Sequence, residues 1–521
     1  MVGRVIPIGL WPGYAAAAVL VAVLLAPLGA VAWRADAFSG LTIADWAAIR
    51  FTLVQAVLSA ALSVILAIPV ARALARRRFA GRRALVSLLG APFILPTVVA
   101  ILGLLAVFGR GGVVNGVLGW LGVPVLSIYG LHGVVLAHVF FNLPLVVRLV
   151  LRGWQSIPAE RFRLAAQLGF APRDTRRTLE HPMLWRVLPG AFALVFALCL
   201  SSFAVALTLG GGPRATTVEL AIYQAFRFDF DLGRAALLGC VQIFLVGMAA
   251  GAATWARLEG GFGRGMDRVI ERWDGQSLGG KLADGVAIAL MVCFLFAPLT
   301  MVVLRGAPAL MQLPPAAWQA AARSVLVALG ATSLMLLLAV PLTIAAVQHK
   351  WLETPALLGI AVSPLVLGSG LFLLLYPFVA PSAVAFPITA LINAVMALPF
   401  AVQLLLPATR DAMAHSGRLA ASLNLEGWPW LWLVFLPRLR PALGFAAGLT
   451  AALSMGDLGV IALFSDPERA TLPLHMYGLM GSYQMEAASG AALLLVGLSF
   501  GLFWVFDWGG RGPAESGHAA A

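Results

Sequence analysis

The sequence predicts an all-α integral membrane protein with twelve transmembrane helices in two parallel six-helix repeats. Three observations carry this. First, the 521-residue chain is 61% hydrophobic and 11% charged, with a mean hydropathy of +0.94, whereas a soluble domain carries about 25% charged residues. Second, apolar runs of about 20 residues recur along the whole length, long enough to cross ~30 Å of hydrocarbon as helix. They are 14–33, 51–71, 85–108, 131–151, 187–207, 234–254, 283–304, 324–347, 356–376, 386–406, 442–463 and 487–506. Third, motifs of the first half return in the second at a near-constant spacing. The strict alternation of barrel strands is absent.

The net charge of +13 raises nucleic acid as a partner, but topology accounts for it better. With a cytoplasmic N-terminus, 26 of the 35 Lys and Arg fall in inside segments. This is the expected inside bias, and it suits contact with anionic lipid headgroups. The expectation is a multi-pass protein of the bacterial inner membrane with both termini cytoplasmic and no nucleic-acid partner. Cys199, Cys240 and Cys293 are scattered within apolar runs, which fits neither a disulfide framework nor a metal cluster. Ala30-Val31-Ala32 resembles a signal-peptide cleavage site. The run is long for a signal peptide, however, and a retained helix preserves the six-plus-six parity.

Taken in order, the first helix leads to an outside loop with Asp36 and Asp45. The second ends at Arg76-Arg77-Arg78, with Arg82 and Arg83 beyond, read as a topology anchor. Pro92 and Pro96 predict a broken third helix. The fourth carries His138, Asn142 and Pro144. The loop 209–220 is rich in Gly and Pro and is shaped rather than helical. A charged, Gly-rich linker, 256–282, separates a first repeat (1–255) from a second (283–521). Within it, Gly275-Gln276-Ser277-Leu278-Gly279-Gly280-Lys281-Leu282 approaches a P-loop. Leu282 stands where a Mg²⁺-binding hydroxyl is required and no strand precedes it, so no nucleotide site is assigned.

The repeat is clearest in two polar islands. Arg163-Leu164-Ala165-Ala166-Gln167-Leu168-Gly169, followed by Pro182, returns 255 residues later as Arg418-Leu419-Ala420-Ala421-Ser422-Leu423-Asn424, followed by Pro437. Leu143-Pro144 and Leu398-Pro399 share that offset, as do Arg214-Ala215-Thr216 and Arg469-Ala470-Thr471. Ala67-Ile68-Pro69 is echoed by Ala339-Val340-Pro341. Six helices return the chain to the same side, so the two copies face the same way. Phe162, Ala165, Ala166 and Gly169 fall on one helical face, and Leu419, Ala420 and Leu423 on a similar one. Gly169 and Asn424 suit helix C-termini. An interfacial helix lying on headgroups would explain one island but not the same spacing twice.

That spacing resembles the cytoplasmic signature of bacterial ABC importer permeases: Glu-Ala-Ala, three residues, Gly, nine residues, Ile, one residue, Leu-Pro. Arg163-Leu164-Ala165 and Arg418-Leu419-Ala420 stand at Glu-Ala-Ala, Gly169 and Asn424 at Gly, Leu179 and Val434 at Ile, and Pro182 and Pro437 at Pro. Arg replaces the acidic residue in both copies. Further stretches, among them Leu209 to Thr217, Glu219 to Gln224, Gly456 to Phe464 and Gly481-Ser482-Tyr483, resemble the fused twelve-helix permeases of thiamine and thiamine diphosphate importers. The iron(III) permeases share that architecture and are the alternative.

The resemblance implies a permease without an ATPase of its own and with no cofactor. Two copies of a cytoplasmic ATP-binding subunit, which use ATP and Mg²⁺, would dock on Arg163, Leu164, Ala165, Ala166, Gly169, Pro182, Arg418, Leu419, Ala420, Ala421, Asn424 and Pro437. A periplasmic thiamine-binding protein would deliver the small-molecule substrate to the outside loops 208–233 and 464–486. Asp457, an acid near the outside end of an apolar run, is a candidate for the path of a cationic substrate. Flanking Gly456 and Gly459 equally suit a structural hydrogen bond in a close-packed helix. Asn142, Asn393 and His138 are weaker candidates for the path. A twelve-helix secondary transporter would instead show coupling-ion acids at mid-membrane. No HExxH, GxSxG or carboxylate cluster suggests an enzyme.

Overall fold

In the computed structural model the described residues are 9–35, 40–90, 94–210, 212, 215–255, 276–359, 362–423, 425–464 and 467–511. Asp36, Pro92, Asn424 and linker residues 256–275 therefore lie outside them. No β-strand occurs among the described residues. The longer helices are α1 (Trp11–Ala35), α2 (Ile43–Arg76), α3 (Thr97–Phe108), α4 (Leu131–Ser156), α5 (Ala159–Gln167), α6 (His181–Leu200), α7 (Phe203–Leu209) and α8 (Leu232–Trp255). They continue with α9 (Leu278–Leu310), α10 (Pro315–Gln348), α11 (Pro364–Leu375), α12 (Ala385–Ser422), α13 (Leu436–Met455), α14 (Gly459–Phe464), α15 (Leu472–Gly481) and α16 (Met485–Gly510).

Helix α2 shows why these segments pack. Ala56, Ala60, Ala67 and Ala71 recur at helical spacing and are fully buried. Small side chains let backbones approach closely, which substitutes for the hydrophobic drive that lipid cannot supply. In the register set by Ala67-Ile68-Pro69 and Ala339-Val340-Pro341, the same face of α10 carries Ala328, Thr332, Ala339 and Thr343, all buried. Accordingly α2 packs on α4 and α6, and α10 packs on α12 and α13. Each hydroxyl on α10's face returns its bond to its own helix, Thr332 to the Ala328 carbonyl and Thr343 to that of Ala339.

The chain divides into two compact units. One comprises Gly40–Ala221 and Phe244–Arg305, the other Met1–Ser39, Ile222–Ile243 and Gly306–Ala521. Within the first, α2, α4 and α6 form the three-helix core, and α3 packs on α7. The start of α9 is tied to α2 there: Asp284 accepts from Arg76 at 2.7 and 2.5 Å and from Arg77 at 2.6 Å. Arg82, buried, donates to the Leu74 carbonyl at 2.9 Å and so satisfies the C-terminus of α2. Part of the Arg cluster read as a topology anchor is thus also structural. Within the second unit, α10, α12 and α13 form the corresponding core, α11 packs on α14, and α1 packs on α10 and α11.

Ten helices among the described residues are long and apolar enough to cross a membrane. All twelve expected runs fall on helices, but four are divided. In the third of each half, short helices Arg82–Leu88 and Glu353–Leu358 precede α3 and α11, whose N-termini are set by Pro96 and by Ser363-Pro364. The fifth is interrupted at Ser201-Ser202 between α6 and α7, and at Gly456-Asp457-Leu458 between α13 and α14. Expected as continuous spans, 187–207 and 442–463 are therefore two pieces each. Small and hydrogen-bonding residues at the breaks release the helix, which is tolerated at membrane depth where protein covers the backbone. Asp45, expected in a loop, is instead the third residue of α2. It closes a capping box with Thr42, whose N–H donates to it at 2.8 Å. Helix α9 begins at Leu278, inside the stretch expected as linker.

The short helix that follows the divided fifth span, Val218–Gln224 in one half and α15 in the other, is tied back at its first residue, so 218–220, expected within a shaped loop, is helical. The Val218 N–H donates to Thr52 Oγ1 at 2.9 Å, and the Leu472 N–H donates to Ser324 Oγ at 2.8 Å. Thr52 and Ser324 occupy the same place on α2 and α10 in the register above.

The packing of α1 on α11 leaves no room at Gly370, where an added Cβ would lie 2.3 Å from the Pro27 carbonyl oxygen. Gly370→Ala should destabilise the purified protein by about 1–3 kcal/mol, seen as a lower unfolding temperature in detergent. Gly478→Ala, where an added Cβ meets nothing within 4 Å, should not. Equal melting of the two variants would contradict this packing.

Candidate functional site

The first island is a short helix closed by a glycine. Pro158 ends α4's continuation and α5 begins at Ala159. Phe162 and Ala165 are buried, whereas Arg163, Leu164, Ala166, Gln167 and Leu168 are exposed. Gly169 adopts φ +68, its N–H donates to the Ala166 carbonyl at 3.1 Å, and the Phe170 N–H donates to the Ala165 carbonyl at 3.0 Å. This is the six-to-one and five-to-two closure of a Schellman motif. The left-handed conformation is what requires glycine here, since an added Cβ would meet nothing within 4 Å. The chain then turns through Pro172–Thr175, with the Ala171 N–H held by Asp174 at 3.1 Å. A π-helical turn, Arg176–Glu180, leads into α6, where Pro182 is exposed in the first turn.

The second island shows the matching six-to-one bond: the Leu425 N–H donates to the Ala420 carbonyl at 2.9 Å. Gly427, at φ +63, opens the short helix Gly427–Trp430, and a π-helical turn, Leu431–Phe435, leads into α13 with Pro437 exposed. The two π turns are 255 residues apart, the offset of the sequence motifs. Ala420 is buried and Leu423 exposed, and in the first island Phe162 and Ala165 are buried whereas Ala166 and Gly169 are exposed, so neither set shares one environment as its spacing suggested. The side chains of Arg418, Leu419 and Ala421, and Asn424 as a whole, lie outside the described residues. One difference is plain. The first island is separated from α4 by Ile157-Pro158, whereas α12 runs unbroken from Ala385 to Ser422 into the second.

The islands are anchored by residues that sequence reasoning missed. Glu180, 1% exposed, accepts from Arg72 Nε of α2 at 3.2 Å and from Trp154 Nε1 of α4 at 3.3 Å. In the second half the same position is Phe435, fully buried, with its ring 4.9 Å from that of Trp430. Ile344, Ala412, Ala420, Trp430, Phe435 and Leu439 form one apolar cluster there. No local signal marks the pair: Glu180 is one acid among several in the island, with Glu160 and Asp174, and Arg72 lies 108 residues earlier.

The intramembrane candidates form two small polar groups, one in each unit. His138 Nδ1 lies 3.3 Å from Ser59 Oγ, and Asn142 Nδ2 donates to the His138 carbonyl at 2.9 Å and to Cys199 Sγ at 3.5 Å. Gln55 donates to the Cys199 carbonyl at 2.9 Å. In the other unit Asn393 donates to Ser454 Oγ at 2.9 Å. The Asp457 carboxylate faces the N–H groups of Gly459, Val460 and Ile461 and the Asn393 amide. The Asp457 carboxylate thus sits at the N-terminus of α14, at the break in the fifth span, with its Oδ2 buried and without a hydrogen-bond partner. At the 255 offset His138 corresponds to Asn393 and Cys199 to Ser454, so both groups occupy the same place in the repeat.

No protein-family model matches the sequence. Whole-chain relatives do. A thiamine transport system permease protein of Salmonella typhimurium is 40% identical over 523 residues, covering 96% of this chain and 97% of the relative. The protein of that name from Escherichia coli K12 is 39% identical over 524 residues, with the same coverage of 96% and 97%. The one from Brucella abortus 2308 is 39% identical over 477 residues, covering 89% and 87%. Similarity of this extent spans both islands, both polar groups and every apolar run. This multi-pass, all-helical membrane protein therefore belongs to the family of thiamine transport system permease proteins.

Proposed function

We propose that this chain is the membrane-spanning permease of an ATP-driven importer that carries thiamine or its phosphates from periplasm to cytoplasm. It lies in the bacterial inner membrane as two six-helix repeats, 1–255 and 283–521, joined by the linker 256–282, with both termini cytoplasmic. The observation that carries this reading is the occurrence, twice at one offset, of a helix closed by a tight turn and followed by a π turn into the next span. A structure that served only to anchor the chain in lipid would not need two copies of one shape. In the first island this turn leaves Ala166, Gly169 and the apolar side chains of Leu164 and Leu168 exposed, a surface a partner can approach closely.

On this reading two copies of a cytoplasmic ATP-binding subunit dock at Arg163 to Gly169 with Pro182, and at Arg418 to Asn424 with Pro437. ATP and Mg²⁺ belong to that partner, and this chain needs no cofactor. Closure of the ATPase pair brings the docked islands together, and the membrane core rocks outward to accept substrate. Hydrolysis returns it inward, a rigid-body form of alternating access. A periplasmic thiamine-binding protein delivers substrate to the loops 208–233 and 464–486. Asn142 and His138 in one unit, and Asn393 and Asp457 in the other, supply polar groups to the path of a cationic substrate. Asp457 also sits at the N-terminus of α14, so substrate at that site would share it with the helix terminus.

ATP hydrolysis by the complex in liposomes, with and without thiamine-loaded binding protein, tests the reading. Stimulation by thiamine or its diphosphate is expected. Import driven by an ion gradient, with no ATPase associated, would end it. Two substitutions sharpen the assignment of the first island. Gly169→Trp puts bulk and a disfavoured φ on the docking turn, so thiamine-stimulated hydrolysis should fall by about tenfold or more. Gly169→Asn, the residue the second copy uses at this place, tolerates the left-handed conformation and should keep most of the stimulation. The same loss in both variants would refute a turn-specific role.

A further inference from the structure

The two islands share a backbone shape but not an anchor. Glu180 is the last residue of the π turn that joins the first island to α6. Its carboxylate is held from two sides, by Arg72 of α2 and Trp154 of α4. These are the two helices that pack with α6 to form the core of that unit. The Arg72 and Glu180 side chains are 19% and 2% exposed. Counting from Ala67-Ile68-Pro69 and Ala339-Val340-Pro341, Arg72 corresponds to Ile344. Counting back from Pro182 and Pro437, Glu180 corresponds to Phe435. Ile344 and Phe435 belong to one buried apolar cluster in the second half, at the positions that Arg72 and Glu180 hold in the first. The position is built twice, once from charge and once from hydrocarbon.

The difference has a mechanical meaning. Hydrophobic contact is non-directional and by itself fixes no angle between two surfaces. A charge-assisted hydrogen bond fixes distance and angle, and parting two buried charges leaves both poorly solvated. An island that moves must therefore carry α2 with it in the first half, whereas α10 can slip against the second island. We propose that Arg72 and Glu180 are positioning residues that make the first island the tightly coupled one, driving α2 with each ATP cycle, while the second island is compliant. This rests on the reading of the islands as docking elements.

The test transplants the second anchor into the first. Replacing a buried ion pair by well-packed apolar residues is commonly neutral or stabilising, so Arg72→Ile with Glu180→Phe should fold and melt like the parent. Reconstituted with the ATP-binding subunit and thiamine-loaded binding protein, the double variant should hydrolyse roughly fivefold or more ATP per thiamine imported than the parent. Loss of the bound ATP-binding subunit from a normally melting variant would overturn the proposal, because the pair would then serve docking rather than transmission to α2. An unchanged ratio would overturn it and leave the pair as structural support alone. Should the double variant not fold, Glu180→Gln serves in its place, because it keeps the side chain's volume and an acceptor for Trp154. The same rise is expected there, and an unchanged ratio again overturns the idea. If the parent chain retains no ATP-binding subunit, it is the docking reading that fails, not the assignment of the anchor.

Discussion

Close helix approach without a hydrophobic drive is the constraint on which the rest of this structure depends. Lipid tails solvate leucine as well as a protein interior does, so the core must be held by van der Waals contact and hydrogen bonds. Both unit cores meet that requirement with the same small-residue face, Ala56 to Ala71 on α2 and Ala328 to Thr343 on α10. The faces bring α4 and α6, or α12 and α13, close enough for single polar groups to reach across. Asn142 reaches Cys199, and Asn393 reaches Ser454. Thr52 and Ser324 on the same two helices accept from the first N–H of the short helix that follows the fifth span. The polar contacts are consequences of the packing and cannot form without it.

The breaks in the third and fifth spans follow from the same economy. A helix interrupted at membrane depth exposes backbone groups that lipid cannot satisfy. Here the interruptions are covered by their own unit, α3 against α7 and α11 against α14. Asp457 turns one of them to use by placing its carboxylate against the N–H groups that open α14. A carboxylate in that position serves the helix end first. Any contact it makes with substrate would be added to that duty, which ties the geometry of a substrate path to the integrity of a helix end.

The islands are where duplication and divergence meet. A closing hydrogen bond and a π turn recur in both at one offset, so the two share a backbone outline. Their anchors do not recur, and Glu180 with Arg72 stands where Phe435 stands with Ile344. A duplicated element can keep its outline while the interaction beneath it changes character, because the outline is set by backbone turns and the anchor by side chains from other helices. The importer reading uses the outline twice and the anchors unequally.

Composition alone determined the class, since 61% hydrophobic residues with 11% charged admit little but a membrane bundle. The length of the apolar runs located the spans, and repeated motifs located the islands, because backbone turns such as the one at Gly169 are written in local sequence. The divided fifth spans were not legible: Ser201-Ser202 and Gly456-Asp457 sit within apolar runs, and hydropathy averages over a break of two or three residues. The role of Asp45 was hidden likewise, because a capping box three residues from a loop looks like the loop itself. The anchors were beyond sequence for a different reason. Arg72 and Glu180 are far apart in the chain, and nothing local says that a carboxylate and a guanidinium will meet. Only the packing of α2 on α4 and α6 brings them within 3.2 Å, and only a tertiary contact can decide whether a buried charge is paired.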